Sequence, residues 1–450
     1  MSPTTRQTFS SLRIRNYRLF AGGQVISLTG TWAQRIAQDW LVLDLSGNSG
    51  VALGIVTGLQ FLPVLLIGMW AGVLADRYDK LRMIIGVQVA MGLLALALGL
   101  LDVSGVVQLW HVYALSFALG IASAFDTPVR QSFMVELVGA DDLPNAVSLN
   151  SATFNSARIV GPAVAGVLIA LVGTGWIFLG NAVSFVAVLA GLLAMSRAEL
   201  HTPRRVEKAK GQVREGLAYV RQRPGLLVPV LLVAMIGTFG LNFQITMALV
   251  AKEVFGKGAG SFGLLTSMLA VGSLLGALAS ARRGGPPRVR RLLVSALAFG
   301  VLEVLVGLSP SYLVMCVLLV PTGVAVLTFS TSANTLLQLG SEPHVRGRVM
   351  ALYSLVFLGG TPLGAPLIGA VAEHLGARSG LLIGGVVSAL SALASAAYLL
   401  RVRSLRLEPH LLRRRPHVHV RRLALAARPS ARPAGACAAG RPAEAARPQR

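Results

Sequence analysis

Apolar stretches of about 20 residues recur along this chain, with short polar turns between them. Residues 83–101, 175–195, 261–280 and 379–400 are almost free of charge, and each is long enough to cross a bilayer as a helix. Read from end to end, the pattern predicts twelve spans, at 17–44, 50–75, 83–101, 107–127, 147–171, 175–195, 226–250, 261–280, 292–308, 311–338, 348–373 and 379–400. The predicted fold class is an all-α membrane protein, because a chain in hydrocarbon must satisfy its backbone internally. The glycine pattern repeats at an offset of about 203 residues: Gly161 and Gly166 correspond to Gly364 and Gly369, as Gly72 and Ala75 do to Gly276 and Ala279. A duplicated six-helix unit follows, with a substrate site expected near the bilayer midplane where the halves meet. The expected organisation is an N-terminus at 1–16, one bundle at 17–196, a basic amphipathic linker at 197–224, a second bundle at 225–400 and a disordered tail at 401–450.

Composition agrees. The 450 residues are 54% hydrophobic and 13% charged, too few charges to cover a soluble surface of ordinary make-up. The net charge of +23 does not point to nucleic acid, because the tail and one set of loops hold most of it. Arg13, Arg15, Arg18, Arg77, Lys80, Arg82, Arg130 and the 197–223 run lie on one side, whereas 45–49, 102–106, 172–174 and 309–310 carry no Lys or Arg. Basic loops stay cytoplasmic, which puts both termini inside. Residues 1–18 are polar and basic, so the first span, not a cleavable signal, is expected to direct insertion. Cys316 and Cys437 form no disulfide framework, and no His pair has metal spacing. Neither a cofactor, a metal nor an enzymatic constellation is expected.

Charges inside spans are costly and therefore informative. In the first span Gln24, Ser27, Thr31, Gln34, Arg35 and Gln38 form one polar stripe at helical spacing. Arg35 and Asp39, four apart, can pair, and Asp39 is a candidate proton carrier, with Glu303 a second. Asp126 and Arg130 end the fourth span as a candidate charge cluster with Arg77. Arg158 requires a partner such as Asp126 or a substrate anion. Gln34, Gln38, Asn155, Arg158, Asn242, Asn334 and Gln338 are candidate cavity residues.

The loop after the second span reads Gly72-Val73-Leu74-Ala75-Asp76-Arg77-Tyr78-Asp79-Lys80-Leu81-Arg82. It resembles the signature loop of the major facilitator superfamily. Asp79 stands where a glycine is common, and Ser280 replaces the acid in the second copy. The stretches Asp126-Thr127-Pro128-Val129-Arg130 and Asn155-Ser156-Ala157-Arg158-Ile159-Val160-Gly161-Pro162 look like the drug- and siderophore-exporting branch, which includes transmembrane secretion effectors. The resemblance implies a gate built from Gly72, Asp76, Arg77, Lys80, Arg82, Asp126 and Arg130. It also implies a bacterial inner-membrane exporter, a functional monomer whose partners are a small-molecule substrate, protons and membrane lipids. An importer or lipid flippase of the same fold, and a non-transporting scaffold, remain the alternatives.

Overall fold

The computed structural model describes residues 10–201, 212–282 and 288–403. Part of the expected linker, part of the basic loop before the ninth span, the tail beyond 403 and the side chain of Asp76 lie outside them. Among the described residues the structure is helical, without strands. The helices are α1 (Arg15–Leu45), α2 (Gly50–Arg77), α3 (Lys80–Val103), α4 (Leu109–Val172) and α5 (Thr174–Leu193). They continue with α6 (Gln212–Arg221), α7 (Pro224–Met235), α8 (Phe243–Leu249) and α9 (Ala259–Arg282). The last four are α10 (Val289–Gly307), α11 (Tyr312–Gly340), α12 (Arg346–Leu375) and α13 (Ser379–Arg403). Among the described residues, nine helical segments are long and apolar enough to cross a membrane. α1 and α10 are not counted among these nine, and α4 counts once.

Two predicted boundaries change. The stretch between the fourth and fifth spans is helical, and α4 consists of two helices that meet at a kink at Gly139 (φ 70°, ψ −178°). Val129, Phe133, Met134, Leu137 and Val138 explain the extension: they recur at helical spacing and are buried with Tyr17, Phe20 and Ile84. Burial of this stripe keeps the helix going past the apolar stretch. Gly139 sits in a backbone region that only glycine occupies cheaply, with the ring of His201 3.2 Å from where a Cβ would stand. Gly139→Ala is expected to cost about 1–3 kcal/mol, read as a lowered melting temperature in detergent.

The seventh predicted span is also not one helix. α7 passes into a π-helical turn at Ile236–Gly240, breaks at Leu241 and Asn242, resumes as α8 and ends in a second π-helical turn at Val250–Val254. Wide turns of this kind are frequent at functional sites.

Of the glycines that repeat along the sequence, Gly166 and Gly369 join the N-terminal helices to the C-terminal ones, whereas Gly161 packs against Trp32 and Gly364 against Thr238 within one half. A Cβ on Gly50 would stand 2.5 Å from the Gly369 carbonyl oxygen, and one on Gly54 2.5 Å from that of Ala365. Gly58 faces Pro362 and Pro366, and Gly359 faces Leu65. Further along α2, Gly68 and Gly72 meet nothing within 4 Å. The expectation that Gly72 marks a close helix contact is therefore corrected: α2 and α12 touch near the 46–49 turn and part towards the 78–79 turn. The second part of α4 meets α9 in the same way, where Gly263 abuts the Pro162 carbonyl and Ser267 Oγ donates to the Ile159 carbonyl (2.8 Å).

Polar contacts reinforce that end. Lys252 Nζ lies 2.5 Å from Asp44 Oδ1 and 4.9 Å from the Trp40 ring centre. Glu373 Oε2 accepts from Ser49 Oγ (2.6 Å) and from the Val51 amide (2.9 Å), so a carboxylate of α12 caps the first turn of α2.

Candidate functional site

The polar stripe of α1 faces inward. Gln24, Ser27, Gln34, Gln38 and Asp39 are buried, and Thr31 and Arg35 are half-buried. The stripe nevertheless does several different jobs along its length. Near its start Gln24 receives a hydrogen bond from Arg130. At its middle Gln34 Oε1 accepts from Asn181 Nδ2 of α5 (2.6 Å), and Asn181 in turn receives Ser184 Oγ. Gln34 is thus locked into the α1–α5 packing, not turned to a cavity, because a buried amide needs a partner and α5 supplies one. Asn181 escapes the sequence reading, although a lone amide in an apolar span is a usable signal.

Asp39 differs from its expected arrangement. Its carboxylate accepts from Gln244 Nε2 on α8 (2.6 Å), and among the described residues no ion pair with Arg35 forms. Spacing of four allows a pair but does not compel one; Arg35 lies instead over the Trp32 ring, 4.7 Å from its centre. The Asp39–Gln244 bond links α1 to the interrupted helix across the two sets of helices, and Asp39 is 1% exposed.

Glu303 on α10 is 2% exposed and reaches the same interrupted helix from another direction. Its Oε2 would stand 3.2 Å from a Cβ on Gly240, and its Oε1 2.8 Å from one on Gly384 of α13. Oε2 has no hydrogen-bond partner among the described residues. Asn242 donates to the Thr238 carbonyl (2.7 Å) and is 5% exposed. It closes the break in the helix, which corrects its expected place on a cavity wall.

Asp126 and Arg130 pair at 2.7 Å, and Gln88 Nε2 donates to Asp126 (2.9 Å). Asp126 is committed there, so it is not the partner of Arg158. Arg77 is exposed and is not a member of this cluster, contrary to expectation. Lys80 pairs instead with Glu136 of α4 (2.5 Å), an acid the sequence reading passed over. Asp79 accepts from the Arg82 amide (2.9 Å) and caps α3, which explains an acid at a position where glycine is common. The Arg82 side chain is exposed.

Arg158 lies 5.9 Å from the centre of the Trp32 ring that also carries Arg35. Trp32 in turn meets Phe154 edge-on at 5.7 Å. Gly161 makes room for it: a Cβ there would stand 2.6 Å from the Trp32 Cβ. Trp32 was not singled out from sequence, though it sits three residues before Arg35 on one helix face. Asn155 Nδ2 donates back to the Ser151 carbonyl (2.8 Å) and is half-buried. On α11 Gln338 donates to Asn334 (2.6 Å), and Gln338 is exposed. Among the described residues no group of His, Cys, Asp and Glu could hold a metal ion.

Known proteins are similar to this chain along most of its length. The chain is 24% identical over 370 residues to a staphyloferrin A transporter of Staphylococcus aureus, covering 80% of this chain and 90% of that protein. It is 24% identical over 396 residues to macrolide efflux protein A of Streptococcus pyogenes, covering 85% and 95%. It is 27% identical over 357 residues to the multidrug efflux pump Tap of Mycolicibacterium fortuitum, covering 76% and 85%. Among solved structures, a bacterial homolog of the human lysosomal transporter Spinster, inward-facing and unoccupied, superposes with a TM-score of 0.66 at 18% identity, over 86% of this chain and 97% of that one. A bacterial homologue of the iron transporter ferroportin, inward-facing, gives 0.65 at 16% identity, over 86% and 98%. The sequence profile of the transmembrane secretion effectors matches residues 6–428. The chain therefore belongs to the transmembrane secretion effector family of major facilitator transporters, and it is a multi-pass membrane transporter rather than an enzyme.

Proposed function

We propose that the protein is a proton-coupled exporter of a small amphipathic molecule, a drug, siderophore or secondary metabolite, from a bacterial cytoplasm. In this reading twelve spans form two six-helix bundles at 17–196 and 225–400, with both termini and the basic loops inside. α4 supplies two spans on either side of Gly139, and α1 and α10 supply the polar ones. The glycine contacts at the 46–49 turn then close the outer face, and the parting of α2 and α12 opens the inner one. The bundles rock between this state and its reverse, and substrate crosses near the midplane. The protein works as a monomer with lipid around it, and the names of two relatives, an efflux protein and an efflux pump, support export as the direction.

One observation carries the coupling: Asp39, buried in α1, bonds across the halves to Gln244 on the interrupted helix. An ionised carboxylate holds this amide more strongly than a neutral one does. Proton binding at Asp39 therefore loosens a link between bundles, and proton release restores it. Glu303 touches the same interrupted helix and is the second candidate. One proton moving through 100 mV supplies about 2.3 kcal/mol, enough for a concentration ratio of roughly 50.

Inverted membrane vesicles test this. After energisation, a panel of drugs and siderophores is added and the pH gradient is followed. The expected result is dissipation by at least one compound with the intact protein, lost with Asp39→Asn. Dissipation that survives Asp39→Asn removes Asp39 from the coupling step. No dissipation by any compound, with folded protein present, sinks the proton-coupled reading.

A further inference from the structure

Two guanidinium groups stand beside one indole within the spans, and Asp39, one turn on from Arg35, attracts it only across space, without a direct ion pair. Arg35 belongs to α1 and Arg158 to the second part of α4, each far from the ends of its helix. Both are half-buried. Both guanidinium carbons lie within 5.9 Å of the Trp32 ring centre, which brings the two groups to one place. Among the described residues neither makes an ion pair: Asp126 is held by Arg130 and Gln88, and Asp39 by Gln244. A cation inside a membrane protein faces a partner or a water-filled cavity. Two like charges beside one ring also repel each other. The indole face attracts them, but it brings no negative charge.

We infer that Arg35, Trp32 and Arg158 form a binding site for an organic anion carrying two acidic groups, and that this dianion is the class of molecule the protein moves. The inference rests on the export reading above. Guanidinium forks bind carboxylates in pairs of parallel hydrogen bonds, and each arginine takes one acidic group. Trp32 keeps the two forks apart and presents them together, and Phe154 braces it from the edge. Gly161 fixes the position, since any side chain there would push Trp32 out of place. The site lies where the sequence repeat predicts substrate, and it supplies a fixed charge that a purely apolar drug cavity would lack. A lipid headgroup with two phosphates carries the same chemistry as a soluble dianion.

The test uses the full chain in nanodiscs with 2,6-naphthalenedicarboxylate as probe and its dimethyl ester as uncharged control. The diacid is expected to bind, more weakly at high salt, and the ester is not. Arg35→Gln and Arg158→Gln are each expected to weaken diacid binding at least about tenfold, with Arg→Lys keeping part of it. Equal binding of diacid and ester, or folded Gln variants that bind as the wild type does, overturns the proposal. Should the variants fail to fold, phenylglyoxal modification of Arg35 and Arg158 in the wild type is read by mass spectrometry. Protection of both by the diacid upholds the site, and unchanged modification overturns it. Nanodiscs containing cardiolipin, whose headgroup carries two phosphates, separate the two sources: lost diacid binding names a headgroup as occupant, retained binding names a soluble anion, and either upholds the anion site. Export of neutral compounds by a protein that does not bind the diacid overturns the site and leaves export standing. Diacid binding without movement of any compound upholds the site, and it overturns both export and the claim that the dianion is moved.

Discussion

Gly369→Ala is expected to yield a protein that inserts normally and transports at least about tenfold more slowly. The added Cβ would stand 2.1 Å from the Gly50 carbonyl oxygen and 2.9 Å from its carbonyl carbon. Both neighbours are backbone, so neither can rotate away. α2 and α12 must separate, and the glycines beside Ala365 and Pro366 lose their contacts with them. Overpacking of this kind costs about 1–3 kcal/mol, and each 1.4 kcal/mol is a factor of ten in an equilibrium. Only the state in which this face is closed bears the cost. The equilibrium therefore moves away from that state, and a cycle that must pass through it slows. Cysteines replacing Asp44 and Lys252 report closure directly, because those side chains meet at 2.5 Å. Their cross-linking yield is expected to fall with Gly369→Ala and to stay unchanged with Gly72→Ala, since nothing lies within 4 Å of Gly72. Unchanged cross-linking and transport in Gly369→Ala would refute the backbone-contact account.

Arg130→Ala is expected to destabilise the protein by about 3 kcal/mol, more than its own contacts suggest. Its guanidinium bonds Asp126 and Gln24 and lies 6.0 Å from the Phe20 ring centre. Removing it leaves Asp126, largely shielded from solvent, with only Gln88 for company. The penalty is mostly that of an unpaired carboxylate. Removing Asp126 as well is accordingly expected to restore part of the loss, whereas independent effects would add. Melting temperatures of the two single variants and the double variant decide between these outcomes. A double variant as unstable as the sum of the singles would show that the pair holds nothing together.

The spans were legible because hydropathy and length are local properties. The glycine repeat was legible as spacing, and it marks backbone contacts at Gly161, Gly166, Gly364 and Gly369. At Gly72 the spacing marks no contact, because nothing stands within 4 Å of it. The extension of α4 was missed because tertiary burial of Phe133 and Leu137, not apolar length, sustains that helix. The break in the seventh span was missed for the opposite reason: Ile236-Gly237-Thr238-Phe239-Gly240 is apolar enough to pass as helix, and only the wide turn reveals it. Asp126 and Arg130 pair as their spacing of four suggests, but other charged residues take partners that spacing does not reveal. Asp39 chose Gln244 over Arg35, and Lys80 chose Glu136, because the choice is made between helices distant in sequence.

The contact at the 46–49 turn is made largely of main chain. A junction of that kind offers selection almost no side chains to vary, since nearly every substitution at Gly50, Gly54 or Gly369 collides with a carbonyl or an α-carbon. Trp32 and Arg35 belong to α1 and Arg158 to α4, and they take no part in it. Heritable change is thereby channelled. A lineage can exchange the side chains around the indole and acquire a different cargo while the closing surface stays as it was. Two descendants of this chain are accordingly expected to diverge first around Trp32 and last along the glycines of α2 and α12.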